Sequence, residues 1–123
     1  GHSHAARTDA WIEIYTEFAP KNISWEELTS YREILWQKQL HLFEVPFYYI
    51  EYGIAQLGAL AMWKQYKTNK EQTLDNYMNA LSKGYTQTLT DLYKTAGIDF
   101  DFSAANVKAL SEFVKEEMKA VFG

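Results

Sequence analysis

The residues able to do chemistry together lie in one stretch, Trp36 to Leu60, where His41 is followed by Tyr48, Tyr49 and Tyr52. Imidazole and phenol both donate hydrogen bonds at neutral pH. If the stretch is helical, Tyr48 and Tyr52 are four residues apart and Tyr49 and Tyr52 three apart, so at least two phenols share a face. The residues alone leave two readings open. A histidine at a helix end before an aromatic cluster is ordinarily a capped or core residue, and tyrosines at helical spacing ordinarily pack in a core. The alternative is a donor set facing a ligand. Glu51 shares the stretch; an unpaired carboxylate among apolar side chains is expensive, so Glu51 is expected to be paired, exposed at a channel wall or raised in pKa, with structural pairing favoured over a general acid or base role.

Other chemistries are absent from the letters. There is no nucleophile-elbow serine, no glycine-rich phosphate loop and no arrangement of paired carboxylates. The lack of cysteine removes disulfides, thiolate metal sites and thiol nucleophiles together, and fits a reducing, cytoplasmic setting. The three histidines are followed by Ser3, Ala5 and Leu42, so no His-Glu-x-x-His pattern can be written. His2 and His4 belong to Gly1-His2-Ser3-His4, read as a mobile terminus spanning residues 1–4.

Charge and hydropathy narrow the partners. The chain has 12 basic and 16 acidic residues, a net charge of −4, interleaved without a basic stripe, so nucleic acid is not an expected partner. The longest apolar run, Phe47 to Trp63, is interrupted by Glu51 and Gln56. It is shorter than the roughly 20 residues a bilayer span needs, so a buried helix is expected and no membrane contact. No basic-then-apolar signal segment opens the chain.

These residues must be positioned by helices. Trp11, Ile14, Tyr15 and Phe18 recur at helical spacing and predict a first helix from Ala5, ended by Pro20. Ser24-Trp25-Glu26-Glu27 has the form of a capping box and predicts a second helix from Trp25 to the break at Pro46. A third, opened by Pro46, is expected over Phe47 to Lys67. Its all-round apolar first half implies that it is surrounded by protein, with Gly53, Ala55, Gly58 and Ala59 admitting close neighbours. Asn69 is the expected N-cap of a fourth helix and Gly84 its C-terminal cap. A short helix near Leu89 to Thr95 comes next, then Ile98 to Phe102 as an extended connector or a single strand, then a last helix capped by Ser103. The expectation is an all-α protein, one helical unit of about six helices over residues 5–123.

The same letters carry a resemblance. His41-Leu42-Phe43-Glu44-Val45-Pro46-Phe47-Tyr48-Tyr49-Ile50-Glu51-Tyr52-Gly53, together with Lys83-Gly84-Tyr85 and Ala96 to Phe102, is similar to the C-terminal catalytic region of oligoendopeptidase F-type zinc metallopeptidases, within the thimet oligopeptidase-like family. The resemblance implies a helical peptidase several times longer than this chain, hydrolysing internal bonds of oligopeptides with zinc-activated water. In that family a His-Glu-x-x-His helix and a downstream glutamate hold the zinc. None of these is found here, so zinc is expected in a longer parent, upstream of Gly1, and at no native site in this chain. The resemblance implies that His41, Tyr48, Tyr49 and Tyr52 bind the substrate carbonyl and the tetrahedral intermediate. More distant relatives carry a glycine-rich loop where this chain has Glu44-Val45-Pro46, which leaves the division of roles among the tyrosines open.

The rival expectation is a non-enzymatic helical interaction module, or a piece that forms homo-oligomers through an apolar surface its missing partner would cover.

Overall fold

A computed structural model of the chain describes all of residues 1–123. It contains seven α-helices, one 3-10 turn and no strand, so the all-α expectation holds. The helices group into two compact units, Gly1–Tyr49 and Ile50–Gly123.

In the first unit, α1 (His4–Phe18) begins one residue before the expected start because the Ser3 hydroxyl accepts the Ala6 N–H at 3.2 Å. It ends at Ala19, whose extended backbone (φ −66°, ψ 145°) is what a following proline demands. Across from α1 run α2 (Thr29–Ile34), a 3-10 turn (Leu35–Lys38) and α3 (Leu40–Glu44). Two indoles join them: Trp11 Nε1 donates to the Arg32 carbonyl at 2.9 Å, and the buried Trp36 donates to Thr8 Oγ1 at 3.4 Å. His4, in α1, lies against the Trp36 ring with centroids 5.4 Å apart.

The capping box at Ser24 does not form. The Ser24 hydroxyl accepts from Glu26 N–H, two residues on, at 3.4 Å, and Leu28 N–H closes a turn on the Trp25 carbonyl at 2.9 Å. That turn carries the backbone through Trp25 to Leu28 without helix, and no Glu27 side chain returns to Ser24, so α2 starts at Thr29. The one long helix expected up to Pro46 is instead three short pieces, interrupted at Gln39 (φ −82°, ψ 82°).

In the second unit, α4 (Ile50–Thr68) packs against α5 (Lys70–Lys83) and α7 (Ala104–Phe122), and α6 (Leu89–Thr95) packs on α5. Asn69 and Ser103 cap α5 and α7 as expected, accepting from Gln72 and Asn106 N–H at 3.2 Å each. Gly84 comes after α5 with φ 52°. Trp63 meets Phe113 edge to face at 4.9 Å, and Lys67 pairs with Glu117 at 2.7 Å, which fixes α4 on α7. The segment after α6 is extended rather than a strand; Ile98 is buried and Phe100 packs edge-on against Tyr93 at 5.0 Å.

The expectation that α4 is enclosed on nearly every side is not met within this chain. Ile50, Glu51, Tyr52 and Gly53 in its first turn are all exposed, and of the helix only Gly58 is buried. The first turn thus presents apolar side chains to water.

Candidate functional site

Two elements deliver the histidine and the first two tyrosines. The short helix α3 carries His41, and Phe43 on the same helix packs against Trp36 at 6.0 Å, so the buried indole of the first unit supports the turn from which the imidazole projects. Val45 N–H then bonds the His41 carbonyl at 3.3 Å and the helix stops.

Beyond Val45 the structure corrects the sequence reading. Pro46 does not open a helix: residues 46–49 form a turn, with Tyr48 N–H on the Val45 carbonyl at 3.1 Å and Phe47 at φ 67°. That left-handed conformation is uncommon for a side chain with a Cβ and costs roughly 1–2 kcal/mol. It reverses the chain, and α4 starts only at Ile50. Tyr48 and Tyr49 therefore precede the helix, and the shared helical face expected for them with Tyr52 does not exist.

The reversal does something else. It lays the Tyr48 ring nearly parallel to the His41 imidazole, planes 10° apart and centroids 6.0 Å apart. It sets Tyr49 edge-on to the same imidazole at 5.2 Å and 84°. His41 is half-buried, and the two tyrosines whose rings lie beside it are each about half exposed (51% and 53%). Tyr52 is on the second unit, in the first turn of α4, and is 56% exposed. Three of the four expected site residues are thus brought together within the first unit, and the fourth belongs to the second.

Chemically the first-unit cluster is a set of N–H and O–H donors on an aromatic frame, suited to a carbonyl or an oxyanion. It is not a metal site. No three His, Cys, Asp or Glu side chains converge anywhere in the chain, so the residues present do not fit a zinc ion. Glu51 is exposed rather than enclosed among apolar groups.

The second unit holds a larger feature, an apolar groove of about 700 Å³ with Ala55, Gly58, Ala59, Leu81 and Tyr93 among its walls. Tyr93, one of its lining residues, donates its hydroxyl to the Ile54 carbonyl at 3.1 Å. Burial, then the nearby Glu51 carboxylate, raise the Tyr93 phenol above its usual 10.0, so it remains a protonated donor at neutral pH. Sequence reasoning passed over Tyr93 because its partner is 39 residues away. The available signal was Gly58, a helix-interior glycine needing a reason.

No helix is long and apolar enough to cross a membrane. Among known proteins, the model of peptidase family M3 matches residues 2–112. An oligoendopeptidase F homolog from Borreliella burgdorferi is 23% identical over 117 residues, covering 94% of this chain and 19% of the relative. The chain thus spans about a fifth of the length of that relative. No solved structure matches the chain.

Proposed function

Because the chain belongs to peptidase family M3, we propose that it is the C-terminal part of a zinc-dependent oligoendopeptidase and supplies His41, Tyr48, Tyr49 and Tyr52 as hydrogen-bond donors to the substrate. The observation that carries the reading is His41 held between Tyr48 and Tyr49, at 6.0 and 5.2 Å, in a chain of that family.

The role of these groups depends on where charge develops. When a peptide carbonyl is attacked, its oxygen becomes anionic, and donors already aimed at that position lower the barrier without reorganising. Each donor so placed is worth about 2.7–4 kcal/mol. The stacking of His41 on Tyr48 restricts the imidazole before substrate arrives, which is the preorganisation such donors need. In this reading the zinc, its ligands and the general base belong to residues outside the chain, the substrate is an oligopeptide, and the cysteine-free composition agrees with a cytoplasmic protein. On this reading the 123-residue chain by itself is expected to hydrolyse no peptide, with or without added zinc, because it has no His-Glu-x-x-His pattern.

The experiment is steady-state hydrolysis of an oligopeptide by the longer peptidase, with His41→Ala, Tyr48→Phe, Tyr49→Phe and Tyr52→Phe made in turn. Reduced kcat in the His41 variant and at least one tyrosine variant supports the reading. Unchanged turnover in all four removes it.

One observation favours a second reading, self-association. Phe47 is 95% exposed and Ile50 66%, with the half-exposed Tyr48 and Tyr49 between them in sequence, and exposed apolar side chains favour association. Light scattering of the purified chain decides it: a dimer or larger species supports association, and a monomer at high concentration contradicts it.

A further inference from the structure

We propose that Tyr93 is a positioning residue for Tyr52: its hydroxyl ties the first turn of α4 to α6 and so fixes where the Tyr52 phenol leaves the helix. The catalytic consequence rests on the reading of Tyr52 as a substrate-facing donor; the tie itself does not.

The geometry is specific. A helical carbonyl has two lone pairs, one taken by the N–H four residues on and one left for water or another donor. At Ile54 the second is taken by the Tyr93 hydroxyl at 3.1 Å. Ile54 lies two residues past Tyr52, on the same turn. The phenol can approach because the residue over that carbonyl is Gly58: a Cβ there would stand 2.5 Å from the Tyr93 oxygen and 3.0 Å from Cζ. A glycine in a helix interior costs up to about 1 kcal/mol relative to alanine, and access for Tyr93 accounts for it.

Tyr93 is itself held on three sides. Its ring receives Phe100 edge-on at 5.0 Å, and Phe100 in turn receives Phe102 at 4.7 Å. Its own carbonyl accepts the Ile98 N–H at 3.0 Å. The loop between is fixed by Gly97, at φ 78°, whose carbonyl accepts from the Gln65 side chain farther along α4. α6 and the segment after it therefore brace α4 at two points, Tyr93 at Ile54 and Gly97 at Gln65.

The first turn needs such a brace. Ile50, Glu51, Tyr52 and Gly53 are exposed, and a Cβ on Gly53 would meet nothing within 4 Å. An exposed turn at a helix N-terminus frays readily, and a side chain borne on a fraying turn is a poorly directed donor.

Two measurements test the proposal. The first is amide hydrogen exchange in this chain. Tyr93→Phe keeps the ring and removes only the hydroxyl, and exchange at Gly58 and the adjacent first-turn amides should rise about two- to tenfold, the worth of one net hydrogen bond. Amides near Trp63 to Lys67, held by Phe113 and Glu117, should be unchanged. Unaltered exchange at Gly58, or a uniform rise along α4, overturns the tie. The second is kcat in the longer peptidase. Tyr93→Phe should lower kcat about two- to tenfold with KM unchanged, and should have no further effect in a Tyr52→Phe background. Equal loss in both backgrounds means that Tyr93 does not act through Tyr52. Undiminished kcat in Tyr52→Phe alone contradicts the donor role of Tyr52, and with it the catalytic consequence, while the exchange result still decides the tie.

Discussion

The imidazole of His41 lies almost parallel to the ring of Tyr48, with the planes 10° apart and the centroids separated by 6.0 Å. Neither neighbour in sequence imposes this. The arrangement exists because the chain reverses at Phe47 and returns Tyr48 to the helix it has just left. If the stacked imidazole is an oxyanion donor, His41→Ala in the longer peptidase lowers kcat by about 10²–10³. Tyr48→Phe, which removes one phenol donor but keeps the ring beside the imidazole, lowers it by less than Tyr48→Leu, which removes both. Steady-state kinetics on the two Tyr48 variants checks the order.

The reversal itself is strained and solvent-exposed, which makes its energetics separable from packing. Phe47 is 95% exposed at φ 67°, so its side chain contributes little and its Cβ costs roughly 1–2 kcal/mol. Glycine relieves that cost but loses about 0.4–1 kcal/mol through the freer unfolded chain. Phe47→Gly is therefore expected to stabilise the protein by up to about 1.6 kcal/mol, and Phe47→Val, β-branched at positive φ, to destabilise it. Chemical denaturation of the two variants gives both signs.

At Gly58 two effects compete. Alanine gains up to about 1 kcal/mol of helix propensity, but its Cβ meets the Tyr93 hydroxyl at 2.5 Å, closer than any real contact. Overpacking of this kind costs about 1–3 kcal/mol, so Gly58→Ala is expected to destabilise. The penalty shrinks in a Tyr93→Phe background, where the nearest ring carbon stands at 3.0 Å. A double-mutant cycle measured by denaturation reads the coupling directly.

Tyr93 also predicts a pH dependence at the alkaline end. Burial and the Glu51 carboxylate raise its phenol in the folded state above the ordinary 10.0. As pH rises through that ordinary value the unfolded chain loses the proton first, so the unfolded state binds fewer protons than the native one and stability falls with pH. The contribution is complete below about 10 and is lost as pH climbs through the raised folded value. Tyr93→Phe should flatten the stability profile above about pH 10 relative to the unsubstituted chain; parallel profiles contradict the shift.

Much of the helical layout was legible because it rests on local chemistry. Asn69 and Ser103 cap the helices they precede with side-chain bonds of three residues' reach, and such signals survive in the sequence. The failures are equally local. Ser24 carried the letters of a capping box, but its hydroxyl bonds two residues on, and the same letters permit either geometry. Pro46 carried the letters of a helix start, and Phe47 gave no warning of a positive φ, since only glycine, asparagine or aspartate advertises one. His41 and the tyrosines stood out as letters, yet their arrangement did not, because helical periodicity placed Tyr48 and Tyr49 on a helix they precede. The Tyr93 to Ile54 bond was invisible for another reason: it closes between distant elements, and although Gly58 was read as admitting a close neighbour, nothing in the letters named Tyr93 or set Gly58 apart from Gly53.

The proposed donor role of His41 and the tyrosines is tested by comparing two affinities in the proposed longer peptidase. One is that of an oligopeptide substrate, and the other that of a phosphinic oligopeptide, whose tetrahedral phosphorus and anionic oxygens imitate the attacked carbonyl. Donors aimed at developing charge favour the second over the first. His41→Ala is expected to weaken phosphinic binding by about 10²–10³ while the substrate dissociation constant moves far less. Equal loss for both ligands, or no loss for either, contradicts the assignment of His41 and its tyrosines to the oxyanion.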